Sequence, residues 1–121
     1  MTINRSYAFD FDGVIAQYEG FKGKDHLGEP NMPVVEAIRK IKSLGHKIII
    51  YSTRGNDQLQ KYCEKHNIPV DYYNHNPEVT GENPHKPIAY AYVDDRAICY
   101  RPQSSDELVE QILNFKAYWQ E

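Results

Sequence analysis

The run "HKIIIYST", His46–Thr53, restricts the fold of this chain more than any other stretch. It is continuous, apolar and β-branched, and it ends abruptly in hydroxyls. That pattern belongs to a strand buried on both faces, as in parallel sheets covered by helices. Its flanks agree. Upstream, Val34, Val35, Ile38, Ile41 and Leu44 recur at helical spacing behind Asn31 as cap and Pro33 in the first turn, and Gly45 stops the helix. Downstream, Asn56 or Asp57 opens a second helix through Leu59, Tyr62 and Cys63, which gives out near "HNIP".

Further strands are expected at Ser6–Phe11, Val70–Tyr73 and Ile88–Asp95, with another short one at "AICY". Ser104 and Glu107 form a capping-box pattern. It opens a last helix running past Leu108, Ile112, Phe115 and Trp119, expected to pack on the sheet. Strand–helix alternation implies an α/β fold: a three-layer, Rossmann-like arrangement with a central, mainly parallel sheet, helices on both faces and right-handed crossovers. At 121 residues the chain suffices for one core, so residues 1–121 are taken as a single domain. Within it, residues 14–30 read as an irregular flap or small hairpin, and "NHNPEVTGENPHKP" as a long loop of a kind that often carries function.

Composition removes several function classes. A net charge of −3 argues against a protein that coats nucleic acid, but leaves open an enzyme acting on a nucleotide or a strand end. Cys63 and Cys99 are too few for a disulfide framework and are not spaced as a metal pair, so a reducing compartment, the cytoplasm, is expected. No apolar run approaches the roughly 20 residues of a membrane span, and the first ten residues lack a signal-peptide core. His26, His75 and His85 match no zinc-ligand spacing.

The polar residues that interrupt apolar runs fall at strand ends. They are Asp10 and Asp12, then Ser52, Thr53 and Arg54, then Lys86 in the loop before a strand, then Asp94 and Asp95. In a parallel sheet these groups converge beyond the carboxyl ends of the strands, where ligands bind. Four carboxylates cannot gather there unneutralised. A hard divalent cation held by oxygen ligands resolves the conflict, and Mg²⁺ is the usual choice beside phosphate. An aspartate can attack phosphorus, and a second carboxylate can move the proton. A serine hydroxyl, backbone N–H groups and a lysine can hold phosphoryl oxygens. Gly13 lets the chain turn where the strand ends. Arg54 and Arg96 read equally as phosphate ligands and as salt-bridge partners of the acids.

These residues resemble the four motifs of the haloacid dehalogenase superfamily, mostly Mg²⁺-dependent phosphohydrolases. "DFDGV" is similar to the first motif, "IIIYS" to the second, the lysine of "HKP" to the third and "AYVDD" to the fourth, in order along nearly the whole chain. The resemblance implies Asp10 as nucleophile and metal ligand. It implies Asp12 as general acid/base with its backbone carbonyl on Mg²⁺, Ser52 and Lys86 on the phosphoryl group, and Asp94 and Asp95 on the metal. Many relatives carry a cap domain, and this chain has no room for one. An open site suits a large substrate, such as a nucleic-acid end or a protein, or else needs a second copy of the chain as its lid; the expected partner is a phosphorylated small molecule or a nucleic-acid end. The implied activity is that of a phosphomonoesterase with an aspartyl-phosphate intermediate. A receiver-like phosphoaspartate signalling module and a non-catalytic phosphate- or metal-binding protein are the alternatives.

Overall fold

Four parallel strands in the order β3-β2-β1-β4 form the sheet of the computed structural model, which describes residues 4–79 and 86–120. Along the chain they are β1 (Ser6–Asp10), α1 (Met32–Ser43), β2 (Lys47–Tyr51), α2 (Asn56–Lys65), β3 (Tyr72–Tyr73), β4 (Ala91–Val93) and α3 (Ser105–Leu113). This is the α/β fold that the alternation implied, and the described residues form no cap domain; the helices, however, do not cover both faces, since α1 and α2 share one and α3 approaches no strand. Ala8 pairs with Ile49 and Tyr92, and Phe9 with Ile50 and Val93, so β1 lies central and shares its carboxyl edge with β2 and β4.

One sheet face carries Tyr7, Phe9, Ile48 and Ile50. It packs on Val35 and Ile38 of α1 and on Leu59, Tyr62 and Cys63 of α2. Fully burying side chains of this kind contributes about 1.5–3 kcal/mol each. The opposite face, with Ala8 and Ile49 fully buried, is met by an irregular segment around the buried Pro87, whose carbonyl accepts the Tyr92 hydroxyl at 2.7 Å. α1 stops where expected, with Gly45 at a φ of +95°. Asn31 sits at its N-cap position, but its side chain donates instead to the Val14 carbonyl at 3.0 Å, tying helix to flap. No helix among the described residues is long and apolar enough to cross a membrane.

Other expectations change as well, and the third strand shortens to Tyr72–Tyr73. The β4 ladder is three residues long, because Arg96 N–H turns back onto Asp94 Oδ1 at 2.8 Å and takes the chain out of the sheet; "AICY" forms no strand. The capping box is present, with Glu107 N–H donating to Ser104 Oγ at 3.2 Å and Ser104 Oγ donating to Glu107 Oε1 at 2.9 Å. The helix it opens nevertheless buries no residue and approaches no strand. It ends at Leu113, and the chain returns as a non-helical tail whose Ala117 is buried. Helical spacing at Leu108 and Ile112 made the helix; the anchoring lies in the tail that follows.

Candidate functional site

The turn after β1 sets the site. Phe11 carbonyl accepts from the N–H groups of Val14, Ile15 and Ala16, and Gly13, at a φ of +88°, donates to the Ala16 carbonyl at 2.8 Å. The chain therefore reverses within one step of Asp12. The flap leaves this turn and closes at its base, where Gln17 N–H meets the Glu29 carbonyl at 2.8 Å and Asn31 N–H the Ile15 carbonyl at 2.7 Å. Residues 14–30 thus stand as a loop on a hairpin-like base.

Because β4 pairs with β1, Asp94 and Asp95 arrive beside Asp10. Each of the three offers a carboxylate oxygen within 4.8 Å of the others. Asp10 Oδ1 accepts Phe11 N–H at 2.8 Å. Asp94 is held on both oxygens, by the Tyr51 hydroxyl at 2.7 Å and by Arg96 N–H. Burial and the bond to Asp94 hold the Tyr51 hydroxyl above its ordinary range. Asp95 Oδ2 accepts the Trp119 indole N–H, while Asp95 Oδ1 is buried with no hydrogen-bond partner.

The Asp10 carboxyl is pushed up from 3.8 to about 8, chiefly by burial, then by the adjoining Asp95 carboxyl and the charge of Asp94. The Phe11 N–H offsets only part of this. Three clustered acids thus favour uptake of positive charge. A hard divalent cation supplies it better than a proton and suits an all-oxygen donor set with one oxygen otherwise unsatisfied. The donor set is of the kind that holds a hard divalent cation.

The Asp12 carboxylate lies outside this group of three. It takes a two-point contact from Arg54, with Nε at 2.8 Å on Oδ2 and a terminal nitrogen at 3.0 Å on Oδ1. The same guanidinium donates to the flap carbonyls of Lys24 at 2.6 Å and His26 at 2.8 Å. The Arg54 side chain, only 9% exposed, is engaged in an ion pair with Asp12 while also lining the site's cavity. Gln58 from α2 adds a second bond to the Lys24 carbonyl at 2.8 Å, and Tyr62 one to the Gly28 carbonyl at 2.7 Å. The flap is pinned at three carbonyls.

Ser52 follows β2. Its N–H donates to Asn74 Oδ1 at 2.8 Å and its Oγ accepts Arg54 N–H at 3.1 Å, which leaves the hydroxyl proton free for a ligand. Asn74, at a φ of +56°, also donates to Asn56 Oδ1 at 2.8 Å and so orders the whole β2–α2 turn; sequence reading passed it over. A cavity of about 450 Å³ joins these groups. Asp10, Asp12, Ser52, Thr53, Arg54, Asp94 and Asp95 line it, and so do Tyr18, Phe21 and Lys24 of the flap and Arg96. Lys86 does not: its ammonium stands over the Tyr92 ring at 4.5 Å, and the cations lining the cavity are Lys24, Arg54 and Arg96. His26 and His75 join no metal-ligand group among the described residues, and His85 lies outside those residues.

No family model matches the chain, and no curated protein does. A solved structure of a conserved protein from Bacteroides thetaiotaomicron superposes with a TM-score of 0.65, over 96% of this chain and 95% of that one, at 24% identity. At that identity the likeness is one of fold.

Proposed function

We propose that this chain is a Mg²⁺-dependent phosphomonoesterase of the haloacid dehalogenase type, with Asp10 as nucleophile. The observation that carries the reading is the three-acid cluster at the carboxyl edge of the sheet, with Asp10 pushed up to about 8 and a buried Asp95 oxygen left unpaired. Asp10, Asp94 and Asp95 would hold the ion. Mg²⁺ supplies charge neutralisation for the acids and for the phosphoryl oxygens.

An ionised Asp10 oxygen attacks phosphorus and the phosphorus–oxygen ester bond breaks. The leaving oxygen takes a proton from Asp12, which must first part from Arg54 and be protonated, so an alcohol departs and an acyl phosphate remains on Asp10. Asp12, now a carboxylate, takes a proton from water. That water attacks phosphorus, releasing inorganic phosphate and restoring both acids. Arg54 keeps the Asp12 carboxylate fixed beside the flap. Ser52 hydroxyl and the lining cations Lys24 and Arg96 would hold the phosphoryl oxygens, a role supported by their shared lining of the cavity.

The leaving group is best read as that of a nucleotide or polynucleotide-end phosphate. Phe21, 77% exposed on the flap, shares the cavity with Lys24 and Arg96, which suits an aromatic group joined to phosphate better than a bare sugar. Cys63 and Cys99 are free thiols, in keeping with a cytoplasmic, reducing setting.

A phosphate-release assay tests the reading. Wild type and Asp10→Asn are given an aryl phosphate, mononucleotides, sugar phosphates and oligonucleotides phosphorylated at either end, each with Mg²⁺ or EDTA. Release that needs both Mg²⁺ and Asp10 is the expected result. Equal release by the variant refutes it, and a phosphoaspartate that persists without turnover marks a signalling module instead.

A further inference from the structure

The segment after α3 returns to the acid cluster. Beyond α3, Ala117 is 2% exposed and its N–H donates to Gln120 Oε1 at 2.8 Å, closing a compact turn. The Tyr118 hydroxyl donates to the Gly13 carbonyl at 2.6 Å, on the turn that carries Asp12. Trp119 donates its indole N–H to Asp95 Oδ2 and stands edge-on to the Tyr18 ring, with centroids 4.7 Å apart. Gly13 lies against the same oxygen, where a Cβ would collide with Asp95 Oδ2 and crowd the Trp119 indole nitrogen. The backbone of the first turn and the indole of the tail therefore meet at Asp95 Oδ2 and hold that oxygen in place.

The grip decides which way the carboxylate faces. With Oδ2 committed to the indole, Oδ1 is the oxygen left for the group formed with Asp10 and Asp94, and it is the one buried without a partner. Nothing in the four ordered motifs supplies this donor; it comes from 24 residues further along the chain. We propose that Trp119 is the positioning residue of the metal centre, holding Asp95 in the orientation that ligates a divalent cation. The inference rests on the reading of the three acids as a Mg²⁺ site. Partners that orient metal ligands typically carry about 10–100-fold in metal affinity. Trp119 is also the sole tryptophan of the chain, so its emission reports directly on the state of Asp95.

Trp119→Phe removes the N–H and keeps a ring against Tyr18. Mg²⁺ is titrated calorimetrically into full-length wild type and variant, with wild-type tryptophan emission followed in parallel. Three results are expected. Wild-type emission changes saturably over the same Mg²⁺ range as the heat. The variant binds Mg²⁺ about tenfold more weakly or worse. In an aryl phosphate assay, its Mg²⁺ activation constant rises by a similar factor while kcat at saturating Mg²⁺ stays within about threefold. A variant that binds Mg²⁺ as wild type does overturns the inference while the metal site stands. So does a wild-type emission spectrum unmoved at saturating Mg²⁺, a result that needs no variant to fold. Absence of any wild-type Mg²⁺ heat overturns the metal reading itself, and this inference with it.

Discussion

Removing the charge of Asp10 should make the metal-free protein more stable at neutral pH, the opposite of what most substitutions at a buried polar position do. The folded-state value of about 8 against an ordinary 3.8 means that the fold prefers this acid protonated. The stability from that preference is fully present below pH 4 and is lost as pH rises through about 8. At pH 7, about three pH units above the ordinary value at about 1.4 kcal/mol each, the ceiling is about 4 kcal/mol. Asp10 remains partly reached by water, which reduces this to about 2 kcal/mol.

Asparagine copies the protonated acid: its oxygen can still accept Phe11 N–H and its amide can donate toward Asp95. In EDTA at pH 8, Asp10→Asn is therefore expected to melt about 8 °C above wild type, at about 4 °C per kcal/mol for a chain of this size. The gap narrows toward pH 5. Mg²⁺ closes it at pH 8 by stabilising wild type alone. Circular-dichroism melts across pH 5–8 read the difference. A variant that melts below wild type at pH 8, or a gap independent of pH, would refute the reasoning.

Other substitutions probe the parts separately. Arg54→Ala strips the Asp12 carboxylate and two flap carbonyls of their donors and should cost about 3 kcal/mol, read as a melting point lowered by about 12 °C and as faster proteolysis within residues 17–30. Gly13→Ala places a side chain at a φ of +88° and into Asp95. It should cost about 2 kcal/mol by thermal melt and remove Mg²⁺ binding by calorimetry. Tyr51→Phe deletes only the hydroxyl that holds Asp94. It should weaken Mg²⁺ about tenfold while leaving the circular-dichroism spectrum unchanged.

What the sequence disclosed follows the range of the interactions involved. β2 was legible because a β-branched run between two helices has few other fates. The meeting of Asp10 with Asp94 and Asp95 was legible because parallel pairing brings carboxyl ends to one edge whatever the intervening sequence. Arg54 was ambiguous for a physical reason: its partners, Asp12 and two flap carbonyls, are 28–42 residues away. Only the folded flap chooses between them and a ligand. Ser52 likewise keeps two roles at once, accepting Arg54 N–H while facing the cavity.

The C-terminal helix misled because amphipathic spacing reports that a helix can form and not which surface will cover it. Tyr51, Asn74 and Trp119 went unseen as site residues for a related reason. Each acts through side-chain hydrogen bonds to residues distant in sequence, which no local pattern announces. Asn74 left a faint signal, an asparagine directly after a strand, where a left-handed residue is often needed.

The central claim is that Asp10 attacks phosphorus at a Mg²⁺ centre built with Asp94 and Asp95. Acid-quenching the protein during turnover of a mononucleotide, followed by peptide mass spectrometry, tests it most directly. A phosphoryl group on the peptide containing Asp10, present with Mg²⁺ and absent in EDTA, is the expected result. Phosphate release with no such adduct, or an adduct on a different residue, would contradict it.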